Sequence, residues 1–392
     1  MACKAEIKGL YYITHVDNVP SILRQGILSH GLLESEKVPF TPIYDAAIVS
    51  KRKDKATPER ASLWEYANLY FQPRNPMMYR VVHEKTTKDL AVIGVKRSVL
   101  ELPQVMIADG NAANNPTQFF KVSEGLKIIE AQWPVIMAAY WNDLDGSKRK
   151  IMAECLVPDR IPPDHIHTVF VADQETKKKL EGSLGASRIP VVPEPNVFFQ
   201  PRFAAGVGKN IRLIEGDMFF SELQTLTVSV NLQGIMGKGL ASRAKYQFPD
   251  VYVYYQDACR SKRITATKPC IYKREASLDA ELADSPTPLE TFNAAKWFLL
   301  FATKRRWREN SRLDDIEGGL AWFRDHFRSE GVQSIALPAL GCGLGGLDWA
   351  QVGPLMCRYL HDIGIAVAIY LPRERGIDRK FFTDDYLFGR GA

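Results

Sequence analysis

Two glycine-rich stretches in the second half of the chain constrain its fold most. The first is Val230–Ala241, VNLQGIMGKGLA, and the second is Pro338–Leu347, PALGCGLGGL. Each lies between a strand-like apolar run and a segment with helical spacing. Strands are expected at Ile211–Ile214, Thr225–Val230, Lys296–Phe301, Ser334–Pro338 and Ile365–Leu371. Helices are expected at Gly239–Tyr254, broken at Pro249, and at Ile316–Phe327 and Trp349–Leu360. This is the pattern of an alternating α/β domain. Glycine lets a backbone approach an anion closely, and a helix N-terminus offers free N–H donors. One such loop is as readily a steric device as a binding one. Two in one domain can grip a diphosphate from both sides.

Upstream, Val192–Lys209 (VPEPNVFFQPRFAAGVGK) is rich in proline and then glycine, and reads as a linker packed through its phenylalanines. It divides the chain into residues 1–191, a linker at 192–209, and residues 210–392. The first part is less regular. Strands are expected at Tyr11–Thr14, Tyr79–His83, Leu90–Val95 and Ile151–Val157. A short helix is expected at Val19–Gln25, closed by Gly26, and a last one at Gln174–Gly182. A length of 392 residues suits two domains.

Composition narrows the class without naming a chemistry. No apolar run approaches the roughly 18 residues that span a bilayer, and Lys4, Glu6 and Lys8 interrupt the segment where a secretory signal would be apolar. The six cysteines form no CxxC pair and no Cys/His cluster has zinc spacing, so no metal and a reducing, cytoplasmic setting are expected. Net charge is +6. Split at residue 205, 26 basic residues stand against 23 acidic, then 25 against 22, so each half is +3. Neither half is a bulk nucleic-acid binder.

In the first half one residue is out of place. Glu154 is a lone carboxylate inside the apolar run IMAECLV, where an unpaired charge is costly unless it is functional. His15 reads equally as a ligand contact or a cap-region histidine, and Asp17 and Asn18 as caps of the helix at Val19. Lys51-Arg52-Lys53, with Lys55 and Arg60, reads as a solvated basic loop. Lys148-Arg149-Lys150 is either a solvated face or a set of phosphate contacts.

The two loops of the second half, with FATKRRWR at 301–308, Ser311 and DIEGGL at 315–320, resemble DarG macrodomains over residues 210–372. That resemblance implies an α/β/α three-layer macrodomain that removes ADP-ribose from thymidine in DNA. It places the essential lysine at Lys304, acting by charge or as a nucleophile. It assigns ADP-ribose to Asp217, Asn231, Gly237, Lys238, Gly239, Gly341, Cys342, Gly343, Leu344 and Gly345. Arg306 and Trp307 are candidates for holding DNA. Three positions depart from the DarG pattern: Val228 and Leu300 stand where asparagines are usual, and Ala302 where a proline is.

The first half resembles DarT over residues 8–190 in four ordered motifs. These are YITHVDNVPSIL at 12–23 with Gly26, the stretch Tyr70–Met78, DGNAA at 109–113, and AE-x-LVP at 153–158. The resemblance implies an α+β ADP-ribosyltransferase fold using NAD+ as substrate. It makes Glu154 the catalytic glutamate and Arg52 the catalytic arginine, with Lys51 and Lys53 as the neighbours that compete for that alignment. Thr14, His15 and Asn18 would contact NAD+, and Tyr70, Phe71 and Met78 would wall the nicotinamide. Lys148, Arg149 and Lys150 are the DNA candidates of this half.

The expected whole is a fused toxin and antitoxin. A transferase modifies thymidine in single-stranded DNA, where the base needs no unpairing. A macrodomain reverses the mark, and the two domains make an intramolecular contact. Fusion fixes their ratio and raises local concentration. The alternatives are a macrodomain that binds or caps without hydrolysis, and a transferase acting on guanine or protein.

Overall fold

The computed structural model describes residues 7–44, 50, 52–59, 62–277, 281–284, 295–372 and 376–389. The chain divides into two compact units. Unit 1 comprises Met1–Gln200 and Asp279–Phe292, and unit 2 comprises Pro201–Leu278 and Asn293–Ala392.

Unit 1 is built on a mixed eight-stranded sheet. Its strands in chain order include β1 (Leu10–His15), then after the short β2 (Ile27–Leu28), β3 (Tyr66–Tyr70), β4 (Leu90–Val95), β5 (Met106–Ala108), β6 (Phe119–Lys121) and β7 (Glu154–Pro158). After the short β8 (Arg160–Ile161) come β9 (Ile166–Val171) and β10 (Val191–Pro193). The sheet order is β10-β9-β4-β1-β3-β7-β5-β6. Residues of β4 are buried throughout, as expected for a central strand. Helices α1 (Val19–Gln25) and α2 (His30–Ser35) follow β1 and β2. Then come α3 (Pro76–Glu84), α4 (Val122–Ile136), α5 (Ser147–Lys150) and α6 (Gln174–Leu184).

Two expectations are corrected here, and a third is sharpened. Tyr79–His83 is helical. Its β-branched look is overridden by a start signal: the Asn75 side chain accepts from the Met78 N–H, and Pro76 occupies the first helical turn. Ile151 and Met152 form a turn, so the strand begins at Glu154 itself. The linker, expected to pack through its phenylalanines, also carries paired strand at both ends. Val191–Pro193 pairs in parallel with β9 in unit 1, Phe203–Val207 pairs with Ile211–Glu215 in unit 2, and the boundary falls at Gln200/Pro201.

Unit 2 carries β11 (Phe203–Val207), β12 (Ile211–Glu215), β13 (Thr225–Asn231), β14 (Cys270–Ser277), β15 (Ala295–Lys304), β16 (Ser334–Pro338) and β17 (Ala366–Tyr370). Their order is β11-β12-β17-β16-β13-β15-β14, with parallel pairing from β12 to β15 and antiparallel strands at both edges. The helices are α7 (Gly239–Gln247), α8 (Pro249–Arg260), α9 (Leu313–Glu330), α10 (Trp349–Leu360) and α11 (Asp384–Phe388). Alternation along β15 divides its side chains between two faces. Leu299 and Phe301 enter the core formed with Ile316, Leu320 and Phe323 of α9 and Met356 of α10. Phe298 meets Phe248, which joins α7 to α8, at 5.0 Å.

Candidate active sites

Unit 1 buries one ion pair at the end of β7. Glu154 has no exposed surface, and its neighbours across the sheet are Tyr70 on β3 and Ala108 on β5. Arg52 grips the carboxylate at two points, Nη2 to Oε2 at 2.9 Å and Nη1 to Oε1 at 3.3 Å. The Ala112 N–H donates to Oε1 at 2.8 Å. Burial opposes the Arg52 charge, but Glu154 more than offsets it and holds the guanidinium above its ordinary range. Tyr70 lies beside this pair. Burial first and the Glu154 charge second raise its phenol well above the usual value, so the hydroxyl stays protonated and donates to Met77 Sδ at 3.2 Å.

The Ala112 N–H is aimed by a pinned loop. Arg149 forks Asp109, Nη1 to Oδ1 at 2.7 Å and Nη2 to Oδ2 at 3.1 Å. The Gln118 N–H donates to the same carboxylate at 2.9 Å, and Thr117 Oγ1 donates to the Asn111 carbonyl at 2.6 Å. Arg149, expected as a solvated group or a phosphate contact, is thus engaged in anchoring this loop. Lys148 pairs with Asp143 at 3.0 Å and Lys150 is partly exposed.

A narrow cleft opens beside the pair, lined by Tyr12, Thr14, Asn18, His30, Phe40 and Tyr44 among others. Asn18 does not cap α1. Its side chain latches Thr41 instead, donating to the carbonyl and accepting from the N–H, both at 2.8 Å. His15 Nδ1 accepts from the Asp17 N–H at 3.1 Å, the geometry of a cap. Phe71 packs in the main core of unit 1, and Met78 is fully buried on α3. Sequence reasoning passed over His30 and Tyr44. His30 stacks on Trp64 with centroids 4.5 Å apart and meets the Tyr44 hydroxyl through Nε2 at 2.8 Å. Burial, then the Arg52 charge, lowers its imidazole to about 4. Lys51 and Arg60 lie outside the described residues, and Lys53 pairs with Glu34 at the surface.

Unit 2 has a cleft of about 680 Å³ at the carboxyl ends of its parallel strands, where open α/β sheets bind ligands. Ser229–Asn231 of β13, Thr303 and Lys304 of β15, Pro338 of β16 and Tyr370 of β17 reach it. Both glycine loops wall it, through Gly237, Lys238 and Gly239 on one side and Gly341, Gly343, Leu344 and Gly345 on the other. Gly341 has a left-handed φ of 75°, and a Cβ at Gly345 would strike the Gly341 carbonyl oxygen and Ser311 Oγ. Such a cradle leaves room for a diphosphate against bare backbone.

Asp217 lines the cleft and accepts from Arg243 Nη1 at 2.6 Å. Asn231 lines it too, but its side chain is engaged in shaping the first loop. It donates to the Ile235 carbonyl at 2.6 Å and accepts from the Gln233 N–H and the buried Tyr255 hydroxyl. Lys304 Nζ reaches across to the Leu344 carbonyl at 2.6 Å, so it spans from β15 to the second loop. Trp307 is 46 % exposed at the rim, under the Arg308 guanidinium, and Arg306 is a surface group facing Glu309. Cys342 corrects the expectation: it is buried, bonds to the Leu340 carbonyl and does not line the cleft. Val228, Leu300 and Ala302 are also buried and outside the lining, so these departures remove no group from the cleft. No metal-ligand cluster occurs among the described residues, and no described helix is long and apolar enough to cross a membrane.

One unit thus presents a buried carboxylate–arginine pair and a narrow cleft, and the other a glycine-walled cradle of the macrodomain kind. Comparison with known proteins agrees. Residues 11–199 match the family described as ssDNA thymidine ADP-ribosyltransferase, DarT. A DNA ADP-ribosyl transferase–DNA ADP-ribosyl glycohydrolase fusion protein of Thermosipho africanus is 53 % identical over 94 % of this chain and 95 % of its own length. A DNA ADP-ribosyl glycohydrolase of Thermus aquaticus is 34 % identical over 42 % of this chain and 42 % of its own length. The solved structure of Thermosipho africanus DarTG in complex with ADP-ribose superposes with a TM-score of 0.91 at 50 % identity, covering 97 % of this chain and 99 % of that one. The chain belongs to the family of fused DarT–DarG proteins, an ADP-ribosyltransferase followed by a macrodomain.

Proposed function

We propose that unit 1 transfers ADP-ribose from NAD+ to thymidine in single-stranded DNA, and that unit 2 removes it. The observation that carries the first half is the buried Arg52–Glu154 pair with its Ala112 N–H. NAD+, as substrate, brings a cationic leaving group on an anomeric carbon. The acceptor nitrogen of thymine holds a proton at neutral pH. Glu154, once Arg52 swings toward an anionic group, is placed to take that proton as a general base. Arg52 then holds either a phosphate of NAD+ or the deprotonated base, both of which suit a planar guanidinium fork. Thr14 and Asn18 line the approach for the nucleotide, and Tyr70 stands over Glu154 with a hydroxyl that stays neutral.

In unit 2 the reading rests on Lys304. Its ammonium lies at the cleft wall between the two loops that would hold the diphosphate, where positive charge favours departure of a thymine anion. Asp217 is the acceptor for the adenine amino group, and Arg306 with Trp307 at the rim offers charge and a stacking face to the attached strand. The two units read together as a toxin and its antitoxin in one chain.

Full-length protein with Lys304→Ala, given NAD+ and a thymidine-containing oligonucleotide, should accumulate product heavier by one ADP-ribose at thymidine. The parent protein should strip that product when it is supplied purified. Mass spectrometry showing modified guanine or protein with unmodified thymidine would overturn the transferase assignment. Product that survives the parent protein would overturn the eraser assignment.

A further inference from the structure

The chain path contains one irregularity that the two-site reading does not use. Strands β14 and β15 are antiparallel neighbours at the edge of the unit 2 sheet, yet the segment between them, Asp279–Phe292, belongs to unit 1. A plain hairpin needs only a few residues to join such strands. This connection instead runs from residue 278 to residue 294, and it is acidic: Asp279, Glu281, Asp284 and Glu290, with no lysine or arginine.

Its described part, Glu281–Asp284, is held by unit 1 at two points. The Trp141 indole Nε1 donates to the Leu282 carbonyl at 3.0 Å, and Arg80 Nε donates to Asp284 Oδ1 at 2.9 Å. Leu282 and Ala283 are each 1 % exposed, as is Trp141. Arg80 is nearly buried, and its Nη1 also donates to Glu84 at 2.6 Å. These are features of a seated segment, not of a loop tip in solvent.

The seat adjoins the transferase site through a short path. Glu154 pairs across the sheet with Tyr70, and the Tyr70 hydroxyl donates to Met77 on α3. Arg80 stands three residues further along α3, on the same face as Met77. The Asp284 carboxylate reaches Tyr70 electrostatically, adding to the effect of Glu154 on the same phenol. A guanidinium and an indole, here both engaged by the same four residues, are also the groups that grip a phosphate and stack a base of a single strand.

We propose that residues 281–284 form an autoinhibitory strap that covers Arg80 and Trp141 on the acceptor side of the transferase site and must lift for single-stranded DNA to engage. This rests on the transferase reading above. The strap supplies a carboxylate to Arg80 where DNA would supply a phosphate. Because it is tethered at both ends within the same chain, it competes at a high effective concentration. It leaves the Thr14–Asn18 side, where NAD+ is expected, untouched.

The test uses the full-length chain carrying Lys304→Ala, so that product is not erased. Asp284→Asn keeps the size of the side chain and removes its charge. A second form carries a protease recognition sequence in place of residues 286–289 and is cleaved after purification, which frees one end of the strap without altering Arg80, Trp141 or the fold in which it was made. In both, the KM for a thymidine oligonucleotide should fall roughly fivefold, since apparent affinity scales with the fraction of molecules whose strap is lifted. The KM for NAD+ should stay as in the parent. An unchanged or raised oligonucleotide KM in the cleaved form overturns the strap. Absence of any DNA product from the parent, the variant and the cleaved form instead overturns the transferase reading itself.

Discussion

Replacing Glu154 by glutamine exchanges one carboxylate oxygen for an NH2 group and tests the centre of the transferase argument. The glutamine carbonyl oxygen can still accept the Ala112 N–H, which now sits 2.8 Å from Oε1. Its amide NH2 must then face Arg52 Nη2, 2.9 Å from the present Oε2. A donor would oppose a donor, and a two-point charge-assisted contact would be lost. Breaking one partner of a buried pair costs about 3–5 kcal/mol because the other charge is left uncompensated. Glu154 is fully buried but the Arg52 side chain retains 14 % exposure. Some water reaches the guanidinium, so a loss of about 3 kcal/mol, the low end of that range, is expected.

The effect on rate is a separate number. A carboxamide cannot take a proton, and loss of a positioned general base lowers turnover by about 10²–10⁴-fold. The assay is single-turnover ADP-ribosylation of an oligonucleotide in the Lys304→Ala background, with urea denaturation of the same samples. Arg52→Lys provides the internal comparison: it keeps the charge but loses the fork, so its stability should fall between parent and Glu154→Gln. A Glu154→Gln protein that transfers ADP-ribose within a few-fold of the parent would refute the assignment of the base. Undiminished stability would refute the buried-pair argument independently.

Two further outcomes follow from the same neighbourhood. Arg149→Lys should lower turnover roughly tenfold, about 1.4 kcal/mol of lost positioning, because lysine cannot fork Asp109 and the Ala112 loop loosens; unchanged turnover would return Arg149 to the role of a DNA phosphate contact, which lysine can fill. His30 gives a pH signature. Its imidazole is lowered to about 4 in the fold against about 6.5 when unfolded, so between these values the unfolded chain binds more protons. Stability is then full above about pH 6.5 and falls as pH drops toward 4, by up to about 3 kcal/mol. His30→Gln should flatten that slope in acid denaturation followed by Trp64 fluorescence, and an unchanged slope would mean that another group carries it.

The α/β half was legible in sequence because its burial pattern is simple. Ser334–Pro338 and Trp349–Leu360 form at the bounds their periodicity indicates, since each lies between clear turn signals. Glu154 was legible for the opposite reason, as a charge that contradicts the apolar run around it. What escaped has no local signature. The Ala112 N–H is a backbone group, and every residue carries one. Arg243 is 26 residues from Asp217, and Tyr255 is 24 from Asn231, so their roles exist only after folding. Tyr79–His83 looks like a strand because its composition does, and only Asn75-Pro76 upstream decides otherwise. Residues 279–292 were grouped with the domain on either side of them, since sequence adjacency is all a linear reading has.

The departures at Val228 and Ala302 show how a motif can lose letters without losing its site. Val228 lies in the middle of β13, paired with Leu300, and has no exposed surface. An asparagine there would need partners for its amide, whereas valine simply fills the space. Asn231, three residues on, is where β13 breaks register and the first glycine loop begins. Its side chain can therefore organise that loop while the strand behind it remains a packing element. Ala302 is likewise buried, and the strand continues past it to carry Thr303 and Lys304 into the cleft. A proline at 302 would lack the N–H a mid-sheet strand contributes to its ladder, and alanine keeps it. Both changes act on how β13 and β15 pack and pair, one layer behind the groups that line the cleft, which is why the cleft keeps its cradle and its lysine.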